Sequence, residues 1–328
     1  MRRREFVSLL GGTATASTVW TAAGRAQQKA MAVIGYLSGG TSDGYAPYIA
    51  AFREALSETG YVEGKNLTIE YRWAEGRYDR LPELAADLVG RKVDVIMAGG
   101  LPAARAAKVA TSTIPIVFSA SDPVGSGLVA SLARPGGNLT GGSSFSNELE
   151  SKRLELLSEL VPQARTVAVL VNSGNAGSEA MVRDAQEAAR VRGLQIVILN
   201  AGSESDIDAA FTSLVQDHAG ALVVAPDAFL TSRRSQLVAL AARYSVPAIY
   251  SYREFAASGG LISYGSSLTA VWRRIGVYAG RILNGAKPAD LPVQQPTAYD
   301  LVINLKTAKE LGVTVPPSIL ARASEVIE

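Results

Sequence analysis

Apolar residues in this chain fall into two rhythms that alternate. Short, nearly continuous runs at residues 31–37, 93–97, 114–118, 166–171, 194–199, 221–224 and 247–250 read as buried strands, and 67–73 alternates apolar with polar. Between them, apolar positions recur at helical spacing. One helix starts near Ala46, carries Ile49, Phe52 and Leu56 on one face and ends at Gly60. Others are predicted over 81–89, 102–110, 148–160, 179–192, 206–216, 237–244 and 268–283. An extended piece at 259–264, a strand at 301–303 and a short helix at 305–311 follow. Strands alternating with helices predict a doubly wound parallel sheet, and here the array occurs twice. The expected fold class is therefore α/β, with two doubly wound, Rossmann-like lobes and a ligand cleft between facing strand ends. Lobe 1 is expected to hold 31–141 and 266–290, and lobe 2 to hold 142–265 and 291–328. Several crossings between them permit hinge closure.

The stretch 115–142 organises this picture. It continues a β-branched run into Ser119-Ala120-Ser121-Asp122-Pro123, then a Pro-Gly-Gly turn and a small-residue extended run. That order predicts a strand, a loop at its C-terminal end, a short helix and a departing chain. Similar polar loops end other strands. Ser38-Gly39-Gly40-Thr41-Ser42-Asp43-Gly44 follows the first, Gly99-Gly100 the third, Asn172-Ser173-Gly174-Asn175 the fifth, Pro226-Asp227 the strand at 221–224 and Ser251-Tyr252-Arg253 the strand at 247–250.

Composition narrows the chemistry. The 328 residues are 48% hydrophobic and 19% charged, as in a globular protein with sizeable cores. Arg3-Arg4-Glu5-Phe6-Val7, a weakly apolar run and Gly24-Arg25-Ala26 form a twin-arginine signal pattern over 1–26, predicting export to the periplasm and cleavage near Gln27. Its loss removes Arg2, Arg3, Arg4, Arg25 and Glu5, leaving 28 basic and 29 acidic residues. A near-neutral chain offers no footprint for nucleic acid or anionic membrane. No Cys is present and His218 is the single His, so thiol chemistry is excluded and a zinc site is disfavoured.

Two motifs invite enzymatic readings. Gly40-Thr41-Ser42-Asp43-Gly44 fits the G-x-S-x-G nucleophile elbow, but His218 precedes its strand and belongs at the opposite edge of the sheet. Gly125-Ser126-Gly127-Leu128-Val129-Ala130 fits the dinucleotide pattern, but the non-strand residues Ser119–Pro123 lie between it and the strand and no acidic residue ends a strand about 20 positions on. Asp206 and Asp208 fit a helix start, and Trp272 and Tyr278 a core helix face.

Longer motifs carry a resemblance. Gly60-Tyr61-Val62-Glu63-Gly64-Lys65-Asn66 with Glu70-Tyr71-Arg72-Trp73-Ala74, Asp122-Pro123-Val124-Gly125-Ser126-Gly127-Leu128 and Arg134-Pro135-Gly136-Gly137-Asn138-Leu139-Thr140-Gly141 resemble the ABC transporter substrate-binding family of the tryptophan/tyrosine-binding type. Ser232-Arg233-Arg234, Pro247-Ala248-Ile249-Tyr250, Arg253-Glu254-Phe255, Gly259-Gly260-Leu261 and Asn304-Leu305-Lys306-Thr307-Ala308-Lys309 extend it over nearly all of the chain after the signal. The resemblance implies a periplasmic-binding-protein type I fold and a monomeric, non-enzymatic receptor. That receptor needs no cofactor and hands an amino acid or related carboxylate to an ABC permease and its ATPase. A ligand-sensing module for a membrane signalling partner is the alternative. Two loops depart from the family. Asn172-Ser173-Gly174-Asn175-Ala176 stands where relatives often read Asn-Pro-x-Asn-Pro, and Pro226-Asp227-Ala228-Phe229-Leu230 where they often read Pro-Asp-Pro-Phe-Phe. Both changes bear on the ligand more than on the fold.

On this reading the ligand carboxylate meets amides and hydroxyls around Ser38, Gly39, Gly40, Gly99, Gly100, Leu101 and Ser121, and Asp43 is a further site candidate on the first of these loops. Asp122 or Asp227 pairs with an ammonium, and Tyr45, Phe145, Tyr250 and Tyr252 pack on the ligand body. Asn172, Asn175 and Arg253 complete the expected site from the second lobe.

Overall fold

The computed structural model describes residues 31–143 and 148–328. The chain begins β1 (Ala32–Ser38), α1 (Ser42–Glu58), β2 (Leu67–Trp73), α2 (Leu81–Gly90), β3 (Val95–Gly99), α3 (Leu101–Ala110), β4 (Ile116–Ala120) and β5 (Leu139–Ser143). It continues α4 (Glu148–Leu160), β6 (Thr166–Val171), α5 (Ser178–Arg192), β7 (Gln195–Asn200), α6 (Glu204–Gln216), β8 (Ala221–Val224), α7 (Ala228–Ser232), α8 (Arg234–Arg243) and β9 (Ala248–Tyr250). It ends α9 (Arg253–Ala257), β10 (Ile262–Gly265), α10 (Leu268–Leu283), β11 (Asp300–Asn304), α11 (Leu305–Glu310), α12 (Pro317–Leu320) and β12 (Glu325–Ile327).

The strands form two sheets. The first has the order β2-β1-β3-β4-β5 and is parallel throughout. The second has the order β12-β11-β10-β9-β8-β6-β7, parallel except where β10 meets β11. These mixed α/β layers match the fold class expected from the hydrophobic pattern. Both faces of the first sheet are covered, which is why its strands read as unbroken apolar runs. Tyr36, Phe52, Met97, Val117, Trp272 and Ile275 pack on the side of α1 and α10, while Leu37, Leu88, Ile96, Ala104 and Phe118 pack on the side of α2 and α3. The α1-side cluster also includes Phe211, Leu222 and Phe229 of the second sheet's layers.

Four features differ from the sequence expectations. Helix α1 starts at Ser42, four residues early, because the Thr41 hydroxyl caps the Gly44 amide at 3.3 Å. Residues 121–135 form turns, with no helix among them, so Gly125–Ala130 does not open one. Positive φ at Asp122 (37°) and Gly127 (72°) is incompatible with helical continuation. Strand β12 was not expected from the pattern and pairs with β11. The last crossing between sheets lies beyond residue 294 rather than at 290. Gln294 donates to Gly141 O (3.0 Å) and its carbonyl accepts from Ser143 N (2.8 Å), which ties 294 to the edge of the first sheet.

Candidate functional site

In a parallel sheet the strand order reverses at a switch point, and the two loops leaving there in opposite directions open a crevice at the strand ends. In the first sheet the switch lies between β1 and β3. Ser38 sits beside Gly99, and Gly99 beside Ser119, so the loops after β1, β3 and β4 emerge together. In the second sheet the switch lies between β6 and β8, where the loops 172–177 and 225–227 emerge.

The two sets of loops meet. They enclose a cavity of about 50 Å³, whose lining includes Tyr45, Gly100, Leu101, Ser121, Asn175, Asp227, Thr231, Tyr252 and Trp272. Among the described residues that line it there is no Lys, Arg or His, and Asp227 is the one carboxylate. On the first wall, α3 begins beside the cavity with Gly100 (φ 96°) as its cap residue and no capping side chain. That end carries the partial positive charge of the helix. Glycine is required at a cap with this φ. Aromatic faces form much of the rest. Tyr45 meets Trp272 edge-on at 5.6 Å between ring centroids. The Trp272 indole N–H is buried with no partner among the described residues. Burial pushes the Tyr45 hydroxyl well above its usual range, so it stays neutral.

Asp227 is the polar centre of the second wall and is 5% exposed. Oδ1 accepts from the amides of Phe229 (2.9 Å) and Leu230 (3.0 Å), which makes Asp227 the N-cap of α7. Asn172 Nδ2 also reaches Oδ1 at 3.3 Å. Oδ2 accepts from Asn175 Nδ2 (3.0 Å) and from the Tyr78 hydroxyl (2.7 Å). Burial raises the Asp227 carboxyl above its ordinary range, while the bonds from Tyr78, Leu230, Asn175 and Asn172 pull it back.

The walls touch directly outside the cavity as well. Arg234 Nη1 donates to Gly44 O at 2.7 Å. A Cβ placed on Gly44 would lie 2.5 Å from Ser232 Cα, and one on Gly40 would lie 3.0 Å from Ala228 O.

Of the residues picked from sequence, the structure brings Tyr45, Gly100, Leu101, Ser121, Asn175, Asp227 and Tyr252 to the cavity. Ser38, Gly39 and Gly40 stand behind it. The Ser38 hydroxyl accepts from Gly40 N (3.1 Å), and Gly39 and Gly40 lie under the rings of Tyr78 and Tyr45. Asn172 reaches the site through Asp227 and itself lines a groove on the outside. Four picks lie elsewhere. Asp43 is exposed in the first turn of α1, beside Ser42. Asp122 folds back on its own turn, accepting from Gly125 N at 2.9 Å, and lines a neighbouring pocket of about 220 Å³. Tyr250 lies within β9, fully buried and stacked on Phe255 at 4.6 Å. Arg253 is held by both carboxylate oxygens of Glu325 on β12, each at 2.6 Å. Phe145 and the signal pattern at 1–26 lie outside the described residues.

Sequence reasoning missed Tyr78, Thr231 and Trp272. Trp272 follows the helical pattern of α10 and was read as core. It is core on one edge and cavity wall on another. His218 is exposed just after α6 at φ 51°.

Residues 31–327 match the family model described as ABC transporter substrate binding protein. A protein of Clostridioides difficile (strain R20291) named as tyrosine-binding is 31% identical over 261 residues, 79% of this chain and 75% of its own length. The structure of an ABC domain from Streptococcus pneumonia in complex with L-Trp is 28% identical, with a TM-score of 0.80 over 90% of this chain and 99% of that one. A ligand-free, open substrate-binding protein with adhesive properties from Clostridium difficile is also 28% identical over the same shares, with a TM-score of 0.60.

Proposed function

The chain belongs to the ABC transporter substrate-binding protein family, and on that premise we propose that it captures an amino acid between its two sheets for an ABC importer. The family is one of solute-binding proteins rather than enzymes. The observation that carries the ligand reading is the charge layout of the cavity. An uncapped helix end stands on one wall and one buried carboxylate on the other, with no basic side chain among the described lining residues. A ligand with one negative and one positive group matches both walls, its ammonium offsetting Asp227 and its carboxylate meeting the partial positive charge of the helix end. A dicarboxylate or phosphate would meet Asp227 with no cation to offset it. Tyr45, Tyr252 and Trp272 supply apolar faces for the ligand body.

Capture works by closure about the crossings at 265–268 and 295–300. The closer likeness to the Trp complex than to the open relative, at equal identity, supports a closed arrangement. Benzene occupies an apolar cavity of about 150 Å³. The 50 Å³ enclosed here therefore has to widen for any aromatic side chain, and the adjoining pocket, which shares Leu101 and Ser121, is the direction in which it extends. Export by the twin-arginine route completes the reading. N-terminal sequencing of the secreted protein is expected to start near Gln27, and an uncleaved cytoplasmic protein would contradict it.

The direct test is a thermal-shift screen of the protein against amino acids and amine-free carboxylates, followed by calorimetry. Ligand at about 100 times its Kd stabilises the native state by about 2.7 kcal/mol. For a chain of this size that is roughly 4 °C in Tm. Shifts with neutral amino acids are expected. Shifts confined to amine-free carboxylates would overturn the zwitterion reading.

A further inference from the structure

Tyr78 makes a direct side-chain bond between the two walls beside the cavity. This residue follows a turn after β2 in which Glu75 and Gly76 both take positive φ (54° and 84°). The amides of Ala74, Glu75 and Gly76 donate to the carbonyls of Ser38 (2.8 Å), Gly40 (3.2 Å) and Gly39 (2.8 Å). The turn is thereby fixed to the loop that ends β1, and the Tyr78 ring lies flush on Gly39, where a Cβ would come within 2.2 Å of it. From this anchorage the hydroxyl reaches the other sheet. It donates to Asp227 Oδ2 at 2.7 Å and accepts from the Phe229 amide at 3.1 Å. Asp227 is held from behind by Asn172, Asn175 and the amides of α7.

We propose that Tyr78 is a positioning residue for ligand capture, a latch whose hydroxyl joins the walls through Asp227 and sets how long the ligand stays. This rests on the closure reading above. The bond runs between protein atoms and needs no ligand atom. It exists only when the walls meet, since its two ends belong to different sheets. A ligand enters before the walls meet, so the latch acts on escape and leaves arrival untouched. Removing the hydroxyl spares the fold. The Phe229 amide keeps Asp227 Oδ1 at 2.9 Å and Oδ2 keeps Asn175, so the cap of α7 survives in Tyr78→Phe.

The test compares wild type and Tyr78→Phe by surface plasmon resonance with L-tyrosine and L-tryptophan as probes, and by small-angle X-ray scattering without added ligand. The expected result is an off-rate about tenfold higher, equivalent to about 1.4 kcal/mol, with the on-rate within about twofold and the urea midpoint unchanged. The variant is also expected to scatter as the more extended particle. An unchanged off-rate, equal radii of gyration, or a fallen urea midpoint with both rates moving together would overturn the latch. If no amino acid binds wild type, the amino-acid reading fails on its own, and the scattering comparison still decides for or against Tyr78.

Discussion

Gly44→Ala separates closure from folding. Gly44 lies in the first turn of α1 at an ordinary helical φ, so alanine fits its own helix and, if anything, favours it by about 0.5–1 kcal/mol. The obstacle lies on the other sheet. The new methyl carbon would sit 2.5 Å from Ser232 Cα, 2.5 Å from Ser232 Cβ and 2.8 Å from Ser232 O. Carbon atoms pack at about 3.5–4.0 Å, so the walls must part by roughly 1 Å at this point. Ser232 cannot swing aside, because the clash is with main chain and α7 is pinned at its start by the Asp227 cap. Parting stretches the bond from Arg234 to Gly44 O, now 2.7 Å, beyond hydrogen-bond range. A charge-assisted bond is worth about 1.5–3 kcal/mol, which corresponds to roughly 10- to 150-fold in affinity. The expected outcome is an unchanged or higher urea midpoint without ligand, together with at least tenfold weaker binding by calorimetry. Full affinity in Gly44→Ala would refute closure at this seam. An equal loss of stability and binding would show that the contact belongs to the fold instead.

The remaining predictions concern charges. Asp227→Asn removes the one carboxylate among the described residues that line the cavity. It should weaken L-tyrosine by more than about tenfold and an amine-free aryl carboxylate far less, both read by calorimetry; equal losses would remove the ammonium role. Arg253→Ala should leave affinity unchanged. The Arg253 guanidinium holds the Glu325 carboxyl below its usual range. The pair therefore stabilises the protein above the ordinary carboxylate range and loses that contribution as pH falls through the lowered value. The variant should lose that acid-dependent part of its urea midpoint between neutral pH and that value. Arg153, 1% exposed, donates to Glu150 Oε1 at 2.6 Å and to Tyr264 O at 2.8 Å. Arg153→Met strands a buried carboxylate and should cost about 3–5 kcal/mol in urea unfolding, whereas adding Glu150→Leu should recover most of it. No recovery would show that Arg153 acts mainly through other contacts.

What the sequence made legible follows from the range of the interactions involved. Strand and helix positions came from local apolar rhythm, and both faces of the first sheet are covered, so the rhythm was strong there. The switch-point loops could be placed for the same reason, since a polar break after an apolar strand marks its C-terminal end. Hence Gly100, Ser121, Asn175 and Asp227 were picked. The errors begin where a residue's role depends on a partner far along the chain. Arg253 follows a strand at the expected pole, but its guanidinium turns to Glu325, on a three-residue strand too short to show a period. Tyr250 and Tyr252 have the same type and parity. Tyr250 is the last residue of β9 and packs on Phe255, whereas Tyr252 has left the strand and lines the cavity, so the strand end falls between them. Tyr78 sits in a charged, aperiodic stretch, Arg77-Tyr78-Asp79-Arg80, that reads as a solvated turn. Its partner Asp227 is 149 positions away. The same logic explains why the proposed latch lies outside the strands, with Tyr78 opening a single 3-10 turn at 78–80 and Asp227 capping α7. A bond that must form and break with closure cannot belong to either sheet's ladder, so it falls to side chains beyond the strand ends, where periodicity carries no signal.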